Sequence, residues 1–182
     1  MIWNFLAKLL ALPFVVKWLI ARAMKTPYLH IVKNDSVYME RFWLFNAYRS
    51  SDGKPKYWWC PWSIRIHHIR RPDQDDHMHD HPWNARTIIL LGGYIEERPI
   101  DCEFADTLQI SRWAGCTAKL DYGEFHRIIS LFPNGAWTLF ITGPYQGVWG
   151  YLVDGIKVQW RIYNEQRNPD YIADRKRYES KE

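Results

Sequence analysis

The stretch DHMHDHPWNARTIILLGG, Asp76 to Gly93, packs three of the chain's seven histidines into five residues and then runs into an apolar segment. On extended backbone the side chains at i and i+2 share a face, so His77, His79 and His81 lie on one parity and Asp80 on the other. Two imidazoles on one face can reach a single ion. Pro82 cannot donate to a sheet ladder, which places the cluster at a strand entrance rather than in a central strand. Arg86 to Leu91 then reads as a strand, Gly92-Gly93 as a turn signal and Tyr94 to Glu97 as the next strand.

Working outward, the same texture repeats. Val37 to Ala47 and Trp62 to Arg70 (WSIRIHHIR) read as strands, the second with Ile64 and Ile66 on one face and Arg65 and His67 on the other. Thr107 to Trp113, His126 to Phe132, Ala136 to Thr142, Val148 to Val153 and Ile156 to Tyr163 follow. Ser51 to Pro55, Asn134-Gly135 and Asp154-Gly155 are turn signals between them. Short strands at such intervals predict an all-β sandwich or jelly-roll barrel.

The chain has 182 residues, 47 % of them hydrophobic, enough for one domain with a real core. A net charge of +4, with no recognition-helix or stacking-sheet motif, does not point to nucleic acid. Cys60, Cys102 and Cys116 are odd in number and far apart; they read as free thiols in a reducing compartment, hence a cytoplasmic location. The reading divides the chain into an apolar, basic N-terminal helix (1–27), a β domain (28–164) and a polar tail (165–182). Lys8, Pro13 and Lys17 interrupt residues 1–24, and a secretory signal is disfavoured. Three readings stay open there: packing on the domain or a partner subunit, peripheral membrane contact, and a span. A homodimer also stays open.

Several metal patterns fail by spacing. The dinuclear HxHxDH pattern needs one more residue before Asp80, no histidine has an aspartate two residues on, and HExxH is absent. A third ligand must come from elsewhere. His126, in DYGEFHR, follows a turn and opens an apolar strand, where an imidazole can line a barrel.

With these residues in view the chain resembles the cupins, specifically the RmlC-like jelly rolls. Their first motif is G(x)5HxH(x)3-4E(x)6G and their second G(x)5PxG(x)2H(x)3N. Set on His79 and His81, the first ends at Gly93; set on Gly115, the second puts Gly123 and His126 in place. A register on His77 and His79 lacks the closing glycine. The resemblance therefore implies a double-stranded β-helix with an N-terminal helical segment, and His79, His81 and His126 as metal ligands. His77 becomes a rim residue or an outer donor. HDHPW with a following Gly-Gly-Tyr-x-Glu strand also looks like a subgroup of small bacterial and phage cupins. Asp73, Asp121 and Ser130 depart from the motifs, and Arg86 stands where the glutamate ligand belongs. A permanently cationic guanidinium cannot ligate a metal. The site then has three imidazoles, as in thiol dioxygenases of the superfamily, or borrows Glu96 or Glu124.

The resemblance and the ligand set imply one divalent transition metal, Fe(II) favoured over Zn, Ni or Co, and a small-molecule substrate. Trp83, Tyr94, Trp137 and Arg86 are expected on the cavity wall, with Arg86 suited to a carboxylate or phosphate. Glu96, sharing Tyr94's parity, is expected as acid/base or backup ligand. The leading reading is an Fe(II)-dependent oxygenase for a small, anionic organic substrate. The alternatives are an isomerase or epimerase, in which Glu96, Glu124 or His77 moves a proton, and a metal-stapled binding or structural protein.

Overall fold

The computed structural model describes residues 1–33, 36–49, 51–100 and 106–167. Two helices, α1 (Ile2–Leu10) and α2 (Pro13–Ala23), precede nine strands. These are β1 (Ile31–Lys33), β2 (Ser36–Phe45), β3 (Ser63–Ile69), β4 (Trp83–Pro99), β5 (Thr107–Trp113), β6 (Thr117–Leu120), β7 (Arg127–Tyr145), β8 (Gly150–Val153) and β9 (Ile156–Gln159). A last helix, α3, covers Trp160–Arg167. The main sheet is antiparallel in the order β1-β2-β3-β7-β4-β5, with β6 also on β4, and β8-β9 forms a separate hairpin. This is the cupin-type double-stranded β-helix expected, with a helical pair at its N-terminus.

Two expected turns are corrected. Gly92-Gly93 and Asn134-Gly135 lie inside β4 and β7, which run on for 17 and 19 residues. The pairing of β4 with β7 slips between Ile89 and Leu91 and between Gly92 and Tyr94, so the glycines make bulges that bend both strands at one level. A Cβ on Gly92 (φ +71°) would sit 1.9 Å from the Gly135 carbonyl oxygen, and one on Gly135 (φ +75°) 2.3 Å from that of Ile69. Only glycine permits this close corner of three strands. A further correction falls at Ile156 to Tyr163: the strand stops at Gln159 and the chain turns helical. Trp160 stacks on Trp149 at 5.6 Å and Tyr163 on Tyr151 at 3.9 Å, so both aromatics of the first helical turn are held by the β8 side.

The sheet has two unlike faces. On its outer face Phe42, Ile66, Ile88, Leu90 and Leu139 pack against Ala7, Val16, Leu19 and Ala23 of the helical pair. The inner face carries Arg65, His67 and Ile69 from β3 opposite Phe140, Thr138 and Ala136 from β7. The break at Leu12, with Pro13 in the first turn of α2, bends the helices by 77° so that both lie on the barrel. Among the described residues no single helix is long and apolar enough to cross a membrane. Cys60 and Cys116 are free thiols, while Cys102 lies outside the described residues.

Candidate metal centre

His79 precedes β4 and His126 precedes β7, and their backbones exchange two hydrogen bonds of 2.9 Å, which pins the two histidine-bearing segments together. Asp80, fully buried on the opposite parity, accepts from Gly150 N at 2.7 Å and pairs with Lys157, fastening the segment to the β8-β9 hairpin. Asp73 does the same upstream, accepting from Ile128 N at 2.7 Å. The imidazoles of the HxH pair are thus set by backbone that is itself hydrogen-bonded on both sides.

The three rings form a nearly equilateral triangle, with centroids 5.2 Å (His79–His81), 5.0 Å (His79–His126) and 5.2 Å (His81–His126) apart. One nitrogen from each lies within 4.8 Å of the others, and Nε2 of His81 is 3.0 Å from Nε2 of His126. Metal–nitrogen bonds of about 2.0–2.1 Å at right to tetrahedral angles put nitrogens about 2.9–3.4 Å apart. The His81–His126 pair falls in that range, and the three donors together are close enough to serve one ion. Burial lowers the pKa of His79, and lowers that of His81 well below its ordinary value, with the neighbouring imidazoles adding to the effect at His81. Neutral imidazole is the ligating form.

Glu96 is not in this triad of donors. Its carboxylate is fully buried, with Oε2 3.5 Å from His126 Nδ1 and Oε1 accepting from Arg112 Nε at 2.7 Å and Arg98 Nε at 3.1 Å. Burial alone would raise its pKa; His126 and the two arginines outweigh that and hold it at about 2. At that 3.5 Å separation His126 Nδ1 is buried and makes no hydrogen bond; a carboxylate that closes on the far nitrogen of a ligand histidine fixes ring orientation and tautomer. Glu124, the other borrowed-carboxylate candidate, is exposed and accepts from Asp121 N at 2.8 Å.

The remaining expected site residues divide by face. Tyr94 is buried among Ile69, Ile89, Ile128 and Ala136, its hydroxyl kept protonated by burial and by Glu96. Trp83 stacks near His81 at 6.5 Å. Arg86 is corrected: it shares parity with Ile88 and Leu90, its guanidinium lies 4.5 Å over the Trp3 ring of α1, and Nη1 donates to Thr117 Oγ1. Trp137 is corrected too, since it packs toward the helices and stacks on His68 at 4.1 Å. His77 stands apart from the triad, its Nδ1 2.9 Å from the Tyr163 hydroxyl.

Two inner-face residues were not singled out from the sequence. Arg65 is only 3 % exposed, and its guanidinium lies 4.7 Å from the ring of Trp43, 5.0 Å from Trp83 and 5.5 Å from Tyr48. It pairs with no carboxylate among the described residues, and its Nε is buried without an acceptor. The buried Trp83 Nε1 and His67 Nε2 also lack partners. Phe140 stands between His67 (5.0 Å) and His81 (5.8 Å), so this unsatisfied polar group lies one side chain away from the triad. The inward parity of Arg65 and His67 in WSIRIHHIR was the available signal.

No protein-family profile matches the chain, and no curated protein matches it in sequence. Solved structures do match it in shape. An oxalate decarboxylase variant from Bacillus subtilis superposes with TM-score 0.51 at 10 % identity, over 84 % of this chain and 35 % of that one. An Fe(II)-HppE complex with an alternative substrate gives 0.47 at 13 % identity, over 66 % of this chain and 57 % of that one. The polyketide cyclase RemF from Streptomyces resistomycificus gives 0.45 at 13 % identity, over 74 % and 82 %. The chain spans little more than half the length of the HppE chains it matches. At 10 % identity the likeness to the oxalate decarboxylase is one of fold alone, a cupin-like jelly roll; the clustered histidine triad is a feature of this chain's own geometry.

Proposed function

We propose that His79, His81 and His126 hold one divalent transition metal, iron(II) foremost, and that the protein is an oxygenase acting on a small organic anion. The observation that carries this reading is the convergence of three imidazoles, with His81 and His126 Nε2 3.0 Å apart, beside a buried guanidinium that pairs with no carboxylate among the described residues. Iron(II) bound to three neutral imidazoles supplies open coordination positions and redox chemistry toward dioxygen.

The chain's own groups have separable tasks. Glu96, 3.5 Å from His126 Nδ1, favours the tautomer protonated there and so leaves Nε2 for the ion. Trp83 and Phe140 present apolar surface beside His81, which excludes water and orients an organic substrate. Arg65, rather than Arg86, supplies the positive field for a carboxylate or phosphate. Its fork of donors suits either group, and an anion would offset its desolvation.

The proton-moving alternative loses support in this geometry. A carboxyl held at about 2 by His126 and two arginines is a poor acid or base near neutrality, which speaks against Glu96 in that role. His77 is engaged with Tyr163, and Glu124 is on the surface. The test is the metal content of protein purified without added ions, followed by oxygen uptake after anaerobic loading with iron(II) in the presence of small carboxylates. Bound iron and carboxylate-dependent uptake are expected. Zinc in its place, or a metal without uptake, would favour the stapled binding protein.

A further inference from the structure

The helical pair has a second apolar side that the barrel does not use. On α1, Ala7 faces the sheet, while Ile2 and Phe5 are 68 % and 61 % exposed and Leu9 stands out with them at spacings of three and four. On α2, Val16, Leu19 and Ala23 face inward, while Phe14 and Trp18, four apart, are 71 % and 64 % exposed. A helix that is apolar on both sides needs cover on both. Leu44 and Ile64, where the β2–β3 connection leaves and rejoins the sheet, pack on the same helix cluster, and that connection exposes Trp58, Trp59 and Trp62.

Charge selects the occupant. Residues 1–26 contain Lys8, Lys17, Arg22 and Lys25 and no aspartate or glutamate. A second copy of this chain seated on the patch would bring the cationic segment against the same cationic segment, with no carboxylate of the segment to oppose the like charge. An anionic lipid surface meets both demands. It takes Trp and Phe at headgroup depth and attracts the flanking lysines and arginines. Patches of this kind mark interaction surfaces rather than ordinary monomer exterior.

We propose that α1, α2 and the Trp58–Trp62 connection dock the folded protein flat on an anionic bilayer, with the helical pair lying in the interface and the barrel in water. The opposite side of both helices stays on the sheet, so docking needs no unfolding of the pair.

The test is flotation of the full chain with phosphatidylcholine vesicles and with vesicles containing one-third phosphatidylglycerol. Partition is expected to be about tenfold or more greater on the anionic vesicles and to fall in high salt. The double variant Phe14→Glu/Trp18→Glu should lose that binding while keeping the parent's circular dichroism and metal content. Lys8→Glu/Lys17→Glu should lose the anionic preference. Equal partition into both vesicle types, or none, would overturn the proposal. So would a dimer in lipid-free solution that the Phe14/Trp18 variant dissolves, because the patch would then be covered by a second copy.

Discussion

Neighbouring residues on β3 serve opposite ends. Ile66 points outward and is completely buried beneath the helical pair; Arg65 points inward, nearly as buried, into a cage of aromatic rings. Burial of the first drives folding, because apolar surface leaves water. Burial of the second opposes it, because a guanidinium loses its hydration and gains no carboxylate. The outer face accounts for stability, and the inner face carries the histidine triad and the buried guanidinium. No carboxylate among the described residues pairs with this guanidinium, and it lies one side chain from the histidine triad.

The largest effect should come from the outer face. Ile66→Ala deletes side-chain volume between β-sheet and helices and should cost about 4 kcal/mol, in the upper part of the usual range for such truncations, read by urea unfolding. A loss below about 1 kcal/mol would mean that the helical pair contributes little to the core. Next comes Glu96→Gln, which keeps shape but weakens the hold on His126. Metal affinity should fall about 10- to 100-fold, measured by competition with a chelator. An unchanged affinity would reduce Glu96 to a partner of Arg98 and Arg112.

A pH titration of the metal-free protein sharpens the same contrast. Burial lowers the pKa of His67 and His81 in the fold well below the ordinary 6.5. The unfolded chain therefore binds protons first as pH falls. Stability should be flat above about pH 7 and decline below about pH 6.5, by up to about 1.4 kcal/mol per pH unit for each such histidine. His67→Phe should flatten part of the slope; an unaltered slope would show that His67 is not held neutral. The smallest effect on stability is expected at Arg65→Met. It should lie within about 1 kcal/mol of the parent or above it, while carboxylate-dependent oxygen uptake is lost. A loss of several kcal/mol instead would make Arg65 a structural post for its aromatic cage.

Much of the inner face was legible because spacing carries it. The HxH pair, the opposite parity of Asp80 and the distant His126 follow from period-two geometry and from the motif resemblance. Arg86 was misplaced for a physical reason. The run ARTIILL is apolar on both parities, and the pairing of β4 slips between Trp83 and Ala85, so the sequence does not say which side of the strand position 86 takes. The Gly-Gly and Asn-Gly pairs misled similarly, since left-handed backbone serves a bulge as well as a turn. Trp160 to Tyr163 alternates well enough for a strand. Its helix depends on contacts with Trp149 and Tyr151, which only the fold brings near.

The proposed metal site consists of His79, His81 and His126, without His77. The direct measurement is a pair of metal titrations on His126→Ala and His77→Ala, read by bound metal per chain. Near-complete loss is expected in His126→Ala and an unchanged single equivalent in His77→Ala. A retained equivalent in His126→Ala, or its loss in His77→Ala, would contradict this assignment.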